Sequence, residues 1–147
     1  MQKTVIFDFN RTIYDPEQET LLPFAQALLT TLKANQFNLF LITFGGKQRE
    51  KTIKDLNLSK YFKSIVLTKN KQVAFRKINK KFKLTKKLTF VIGDRVREEI
   101  MLGNQYGYTT VWFKNGRFKN EMPVDRAGQP DFVITKLRQV LSLVMAD

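Results

Sequence analysis

Neither histidine nor cysteine occurs among the 147 residues. Any chemistry must therefore run on carboxylates, hydroxyls, amides, lysine and arginine. A Ser-His-Asp triad, a histidine general base, a zinc site built on imidazole or thiolate, a cysteine nucleophile and a disulfide are all excluded. The remaining candidates recur at one kind of place, just after a short apolar run. Val5-Ile6-Phe7 stops at Asp8, with Asn10 two residues on. Leu39-Phe40-Leu41-Ile42 is closed by Thr43-Phe44-Gly45-Gly46. Ser64 to Leu67 is followed by Lys69 and Lys71, and Leu88 to Ile92 ends in Gly93-Asp94, with Glu98 and Glu99 close behind. Singly, an aspartate in such a position is often a turn residue or a helix N-cap. Two acidic run ends, a hydroxyl and a lysine in one chain make a more specific set.

The elements that must position these residues follow from hydrophobic patterning. The runs Thr4–Phe7, Leu39–Ile42, Ser64–Leu67, Leu88–Ile92, Thr109–Phe113 and Asp131–Ile134 read as strands. They are continuously apolar rather than alternating, the mark of a parallel sheet covered on both faces. Helical spacing fills the intervals: 22–35, 47–56, 71–82, 98–106 and 136–145, with Thr135 as a candidate cap for the last. This order predicts an α/β fold, a doubly wound parallel sheet in a three-layer α/β/α sandwich, over residues 1–147 as one domain. In such sheets ligands bind at the carboxyl ends of the strands, where the candidates lie. Apolar residues make up 43% of the chain and include 13 Phe, which supplies a core and excludes a disordered chain. The longest loop is Phe113 to Pro130.

V-I-F-D-F-N-R-T, L-F-L-I-T, a lysine at Lys69 or Lys71, and F-V-I-G-D-R-V-R-E-E-I-x-x-G occur in that order. Together they resemble the four motifs of the haloacid dehalogenase-like (HAD) superfamily, whose members are mostly phosphatases. Y-G-Y-T-T-V-W and P-D-F-V-I are similar to the family's fifth and sixth strands, so the resemblance spans the whole chain. It implies a Mg²⁺-dependent phosphohydrolase in which Asp8 is the nucleophile and forms an aspartyl phosphate. Thr43, with Gly45, would bind phosphoryl oxygens, and Thr12 would brace the first loop. The motif lysine would offset charge between Asp8 and the phosphate. Lys69 is preferred over Lys71, because it follows the strand closely and sits six residues before Phe75, as in the family's K-P-x-P-x-x-F form. For the second acid, Glu99 precedes Ile100 and Gly103 as the family's D-I-x-x-G does, with Glu98 the alternative. The chemistry agrees: Mg²⁺ neutralises a phosphoryl group that a carboxylate cannot approach unaided. Asp8, Asp94 and the backbone carbonyl of Asn10 offer the oxygen ligands it prefers.

Two departures stand out. Asn10 takes the place of the family's usual aspartate, the general acid and base; asparagine hydrogen-bonds but exchanges no proton at neutral pH. Losing such assistance typically costs about 10²–10⁴-fold. The expected activity is therefore weakened or specialised, and the alternative is a catalytically silent protein that holds a nucleic acid or phosphorylated partner. Arg11 replaces the usual glycine and either reaches a ligand phosphate or points to solvent, with solvent preferred. Family members often insert a cap domain, but 13–42 and 44–68 are filled by core elements. The site should then be open, as in relatives that act on macromolecules or borrow a lid from a partner.

The formal charge is +13, which fits a nucleic acid, a phosphorylated ligand, an anionic surface or simply a solvated lysine-rich face. Lys69 to Lys87 carries nine basic residues and no acid. On a helix, Arg76, Lys77, Lys80 and Lys81 lie away from the Phe75/Ile78/Phe82 face, an electrostatic footprint for phosphate backbones. No run reaches the ~18 apolar residues of a membrane span, and the N-terminal run is too short for a signal-peptide core. A cytoplasmic protein that does not enter a membrane is the expectation.

Overall fold

The structure, a computed structural model, describes residues 2–146. Strand β1 (Thr4–Phe7) leads into a small antiparallel hairpin, β2 (Tyr14–Asp15) and β3 (Thr20–Leu21). Then come α1 (Ala25–Ala34), β4 (Asn38–Phe44), α2 (Lys47–Asp55), β5 (Ser64–Thr68) and α3 (Lys71–Phe82). The second half holds β6 (Thr89–Gly93), α4 (Met101–Gln105), β7 (Thr109–Phe113), β8 (Phe132–Ile134) and α5 (Gln139–Val144). Six strands form one sheet in the order β5-β4-β1-β6-β7-β8, and every pairing in it is parallel. This is the expected doubly wound fold.

The continuous apolar runs are explained by what covers each face. Successive side chains on a strand point to opposite sides. Val5 and Phe7, Leu39 and Leu41, and Phe90 and Ile92 join one core with Leu28, Leu29 and Leu32 of α1 and Val140 and Val144 of α5. Ile6, Phe40, Ile42 and Val91 join the other with Ala74, Phe75 and Ile78 of α3 and Leu102 of α4. No strand face is left to water at the centre, so alternation has no reason to appear.

Local readings shift at the element ends. The first helix starts at Ala25 rather than Leu22, because Phe24 takes a left-handed backbone (φ 71°) just after Pro23. Thr135 does not cap the last helix. Instead Gln139 Oε1 accepts from the amides of Thr135 and Lys136, and regular helix begins only at Gln139. The fourth helix opens as a π-helical turn, Val96–Ile100, before α4. The 113–130 loop contains two 3₁₀ turns, Gly116–Phe118 and Arg126–Gly128. Between Asp8 and Thr43 lie only the hairpin, α1 and β4, and between Thr43 and Lys69 only α2 and β5. No domain is inserted there. Among the described residues no helix is long and apolar enough to cross a membrane.

Candidate active site

Parallel registry brings three strand ends level. Phe7 pairs with both Leu41 and Ile92, so Asp8 emerges between β4 and β6, with Thr43 and Asp94 beside it. The Asp8 amide donates to the Ile92 carbonyl at 3.1 Å, which extends the ladder through the turn. Carboxylate oxygens of Asp8, Asp94 and Glu99 all lie within 4.8 Å of one another, and all three residues are buried. The π-helical turn delivers Glu99, and Gly93 makes room for it. A Cβ at Gly93 would stand 2.7 Å from Glu99 Oε2 and 2.9 Å from its Cβ. Such turns cluster at functional sites because one extra residue re-aims the side chains that follow.

Three buried carboxylates need compensation. Lys71 provides most of it, with its Nζ donating to Asp8 Oδ1 at 2.8 Å and to Glu99 Oε1. Burial works against the lysine's charge, yet Asp8 and Glu99 outweigh it and hold its pKa well above the usual lysine value. Glu98 Oε1 is 3.8 Å from the same nitrogen but is engaged mainly by Arg95 Nη1 at 2.6 Å. Of the two acids weighed from sequence, Glu99 is thus the buried partner of Lys71 and Glu98 stands at the rim. Burial and then the charge of Asp8 push the Asp94 carboxyl up to about 7, with Arg11 opposing. Burial and Asp8 likewise raise Glu99 to about 8, against Lys71.

The preference for Lys69 is corrected. Lys69 is exposed and does not line the cleft. Asn70 caps α3, its Oδ1 accepting from the Val73 amide at 3.2 Å. Lys71 is therefore the first helical residue and turns inward with Ala74, Phe75 and Ile78. The expectation for Arg11 is corrected too. Its Nε donates to Asp94 Oδ2 at 3.0 Å, and its guanidinium lies 4.9 Å from the Phe118 ring centre. Thr12 does not brace the first loop through its hydroxyl, which is buried without a hydrogen-bond partner. Backbone bonds do that work: the amides of Thr12, Ile13 and Tyr14 all donate to the Phe9 carbonyl.

Thr43 is buried, and its hydroxyl donates to the Phe44 carbonyl while accepting from Arg49 Nη1 at 2.6 Å. Sequence reading missed Arg49, which sits in a strongly polar helix with no motif around it. The guanidinium stacks on Phe9, 4.9 Å from the ring centre. Gly45 does not line the cleft, and its part is to let Arg49 approach. With φ +141°, a Cβ there would stand 2.5 Å from Arg49 Cβ.

The resulting cleft, about 90 Å³, is lined by Asp8, Asn10, Arg11, Thr43, Phe44, Arg49, Lys71, Asp94, Arg95 and Glu98. A larger apolar cavity of about 550 Å³ beside Phe24, Phe113 and Leu137 lies apart from these charges. Within the cleft wall, Arg11, Lys71 and Arg95 each pair with acids. Arg49 alone of the four cations forms no ion pair among the described residues. An unpaired, half-buried guanidinium beside a hydroxyl calls for an anion.

The donor set also suits a hard divalent cation. Asp94 Oδ1 and Asn10 Oδ1 are buried without any partner, and the grouped ligands are oxygens only. Asp8 and Asp94 could hold Mg²⁺ together with the main-chain carbonyl of Asn10.

This fold and site define a HAD-type α/β protein. A family model described as HAD-hydrolase-like matches residues 66–140, half of the chain, and the chain belongs to that family. A glyceraldehyde 3-phosphate phosphatase of Pyrococcus furiosus is 30% identical over 131 residues, 84% of this chain and 54% of that protein. A magnesium-bound Bacillus subtilis protein of the HAD-hydrolase class superposes with a TM-score of 0.73 at 22% identity, over 87% of this chain and 57% of that one. The core domain of a Streptococcus pneumoniae TIGR4 protein, assigned as a phosphoglycolate phosphatase, superposes with a TM-score of 0.72 at 18% identity, over 100% and 98% of the two chains. The chain spans about half the length of the Pyrococcus relative.

Proposed function

We propose that this chain is a Mg²⁺-dependent phosphohydrolase whose nucleophile is Asp8 and whose turnover is limited by Asn10. One observation carries the reading: the Asp8 carboxylate, gripped by Lys71 at 2.8 Å, faces a cleft that also holds Asp94, Thr43 and an unpaired Arg49. The relatives named as phosphatases act, by their names, on small phosphomonoesters, which supports that substrate class.

When bound, Mg²⁺ would supply charge neutralisation at the phosphoryl group. The chain's own residues do the rest. Thr43 and Arg49 bind and orient phosphoryl oxygens, and the guanidinium fork suits that geometry. Lys71 holds the Asp8 carboxylate in place through its hydrogen bond to Oδ1. An Asp8 oxygen then forms a bond to phosphorus as the bond to the ester oxygen breaks. That leaving oxygen must take its proton from water, because Asn10 has none to give. Water next attacks phosphorus, giving its proton to bulk water because Asn10 accepts none, and the bond from phosphorus to Asp8 breaks to release inorganic phosphate and the free Asp8 carboxylate. Leaving groups that need no proton, such as aryl or acyl phosphates, should suffer least. A panel of phosphate esters assayed with Mg²⁺, beside Asp8→Asn, tests the reading. Slow aryl phosphatase activity lost in Asp8→Asn is expected, and activity equal in both chains would refute it.

A second reading has its own observation. Arg76, Lys77, Lys80 and Lys81 are all exposed and none pairs with an acid among the described residues. They extend basic surface along α3, away from its Lys71 end. A nucleic acid or another phosphorylated macromolecule could lie along that face, with or without turnover in the cleft.

A further inference from the structure

Arg11 is held against the cation site from two sides. Its Nε meets Asp94 Oδ2 at 3.0 Å, and the Asp94 side chain has no solvent exposure. Phe118 lies 4.9 Å from the guanidinium carbon, and Asn115 Nδ2 donates to the Arg11 carbonyl at 3.3 Å. The Arg11 amide donates to the Tyr14 carbonyl at 2.6 Å. The backbone there is left-handed, with φ 60°, a conformation that glycine adopts freely and arginine does not. The loop therefore keeps a strained arginine where a residue without a side chain would fit better. In return it places a guanidinium directly on a buried carboxylate.

We propose that Arg11 is a tethered cation that occupies part of the divalent-ion seat at Asp94 and lowers the site's affinity for Mg²⁺. This rests on reading Asp8 and Asp94 as a cation site. Two like charges sharing one carboxylate repel, so an ion on the free Asp94 Oδ1 binds against the guanidinium on Oδ2 and is held more tightly once that guanidinium leaves. The cleft offers it a destination, since Arg11 lines the same cavity as Thr43 and Arg49. A phosphoryl group there can take the guanidinium once its single bond to Asp94 is released. Phosphate and Mg²⁺ should then assist each other's binding, and the assistance must be reciprocal.

The test is calorimetric titration of the full chain with Mg²⁺ alone, then with Mg²⁺ plus inorganic phosphate. The chains compared are the parent, Arg11→Gly, Arg11→Asn and Asp94→Asn. Glycine relieves the left-handed backbone, and asparagine tolerates it while keeping a neutral polar side chain. Removing a charged hydrogen bond to Asp94 should tighten Mg²⁺ about tenfold in both Arg11 variants. Phosphate should tighten Mg²⁺ more in the parent than in either of them, and Asp94→Asn should lose the ion. Equal Mg²⁺ affinity in the parent and both Arg11 variants, with loss in Asp94→Asn, overturns the role of Arg11 and leaves the cation site standing. Tightening in Arg11→Gly alone assigns the gain to backbone relief and also overturns it. Absence of Mg²⁺ binding in all four chains overturns the cation site and this proposal together.

Discussion

The two ends of the positive charge on α3 behave in opposite ways. At its N-terminus Lys71 is buried and bonded to two carboxylates. Along its outer face Arg76, Lys77, Lys80 and Lys81 are exposed and unpaired among the described residues. The same side-chain type is in one place a fixed structural component and in the other a solvated charge. Burial makes the difference: a desolvated charge must be partnered or it is strongly destabilising, whereas an exposed one is stabilised by water and screened by salt. Geometry can be read as mechanism at the first end only.

The largest effect that sharpens this contrast belongs to the nucleophile. Asp8→Asn should lower aryl phosphatase turnover by about 10⁴-fold or more, measured with Mg²⁺ and a chromogenic ester. Next comes Lys71→Ala, which strands Asp8 and Glu99 without their cation. Urea unfolding should show a loss of about 3–5 kcal/mol, while Lys69→Ala stays within about 0.5 kcal/mol. Equal losses would erase the distinction between buried and exposed lysine. A small structural effect is expected for Lys77, Lys80 and Lys81 changed together to Glu, about 0.5 kcal/mol per site or less. If the outer face holds nucleic acid, the triple change should abolish binding, and the parent should bind more weakly as salt rises. Binding that ignores both salt and the triple change would leave that face without an electrostatic role.

The strand ends were legible for a physical reason. In a parallel sheet the central strands stop together, so Asp8, Thr43 and Asp94, each last after an apolar run, had to converge. For Lys71 against Lys69 the sequence does carry a signal. Asn70 is a good N-cap, and setting the helix phase from it turns Lys71 inward and leaves Lys69 outside. Arg49 had no such signal, because its approach depends on Gly45 and on a stack with Phe9, neither of which periodicity encodes. Arg11 is visible in the sequence as a replacement for glycine. Its direction, however, depends on Asp94, eighty-three residues away, and on a loop with no regular pattern. The hairpin Tyr14–Leu21 escaped because strands of two residues leave no alternation to read.

Restoring the missing proton donor tests the central claim most directly. Asn10→Asp, assayed with Mg²⁺ on matched aryl and alkyl phosphates, should raise alkyl turnover by about tenfold or more and aryl turnover by less. The gain should vanish when Asp8→Asn is added. An Asn10→Asp chain that folds and binds Mg²⁺ yet stays inert on every ester would contradict the account, and would leave a site that binds phosphate without cleaving it.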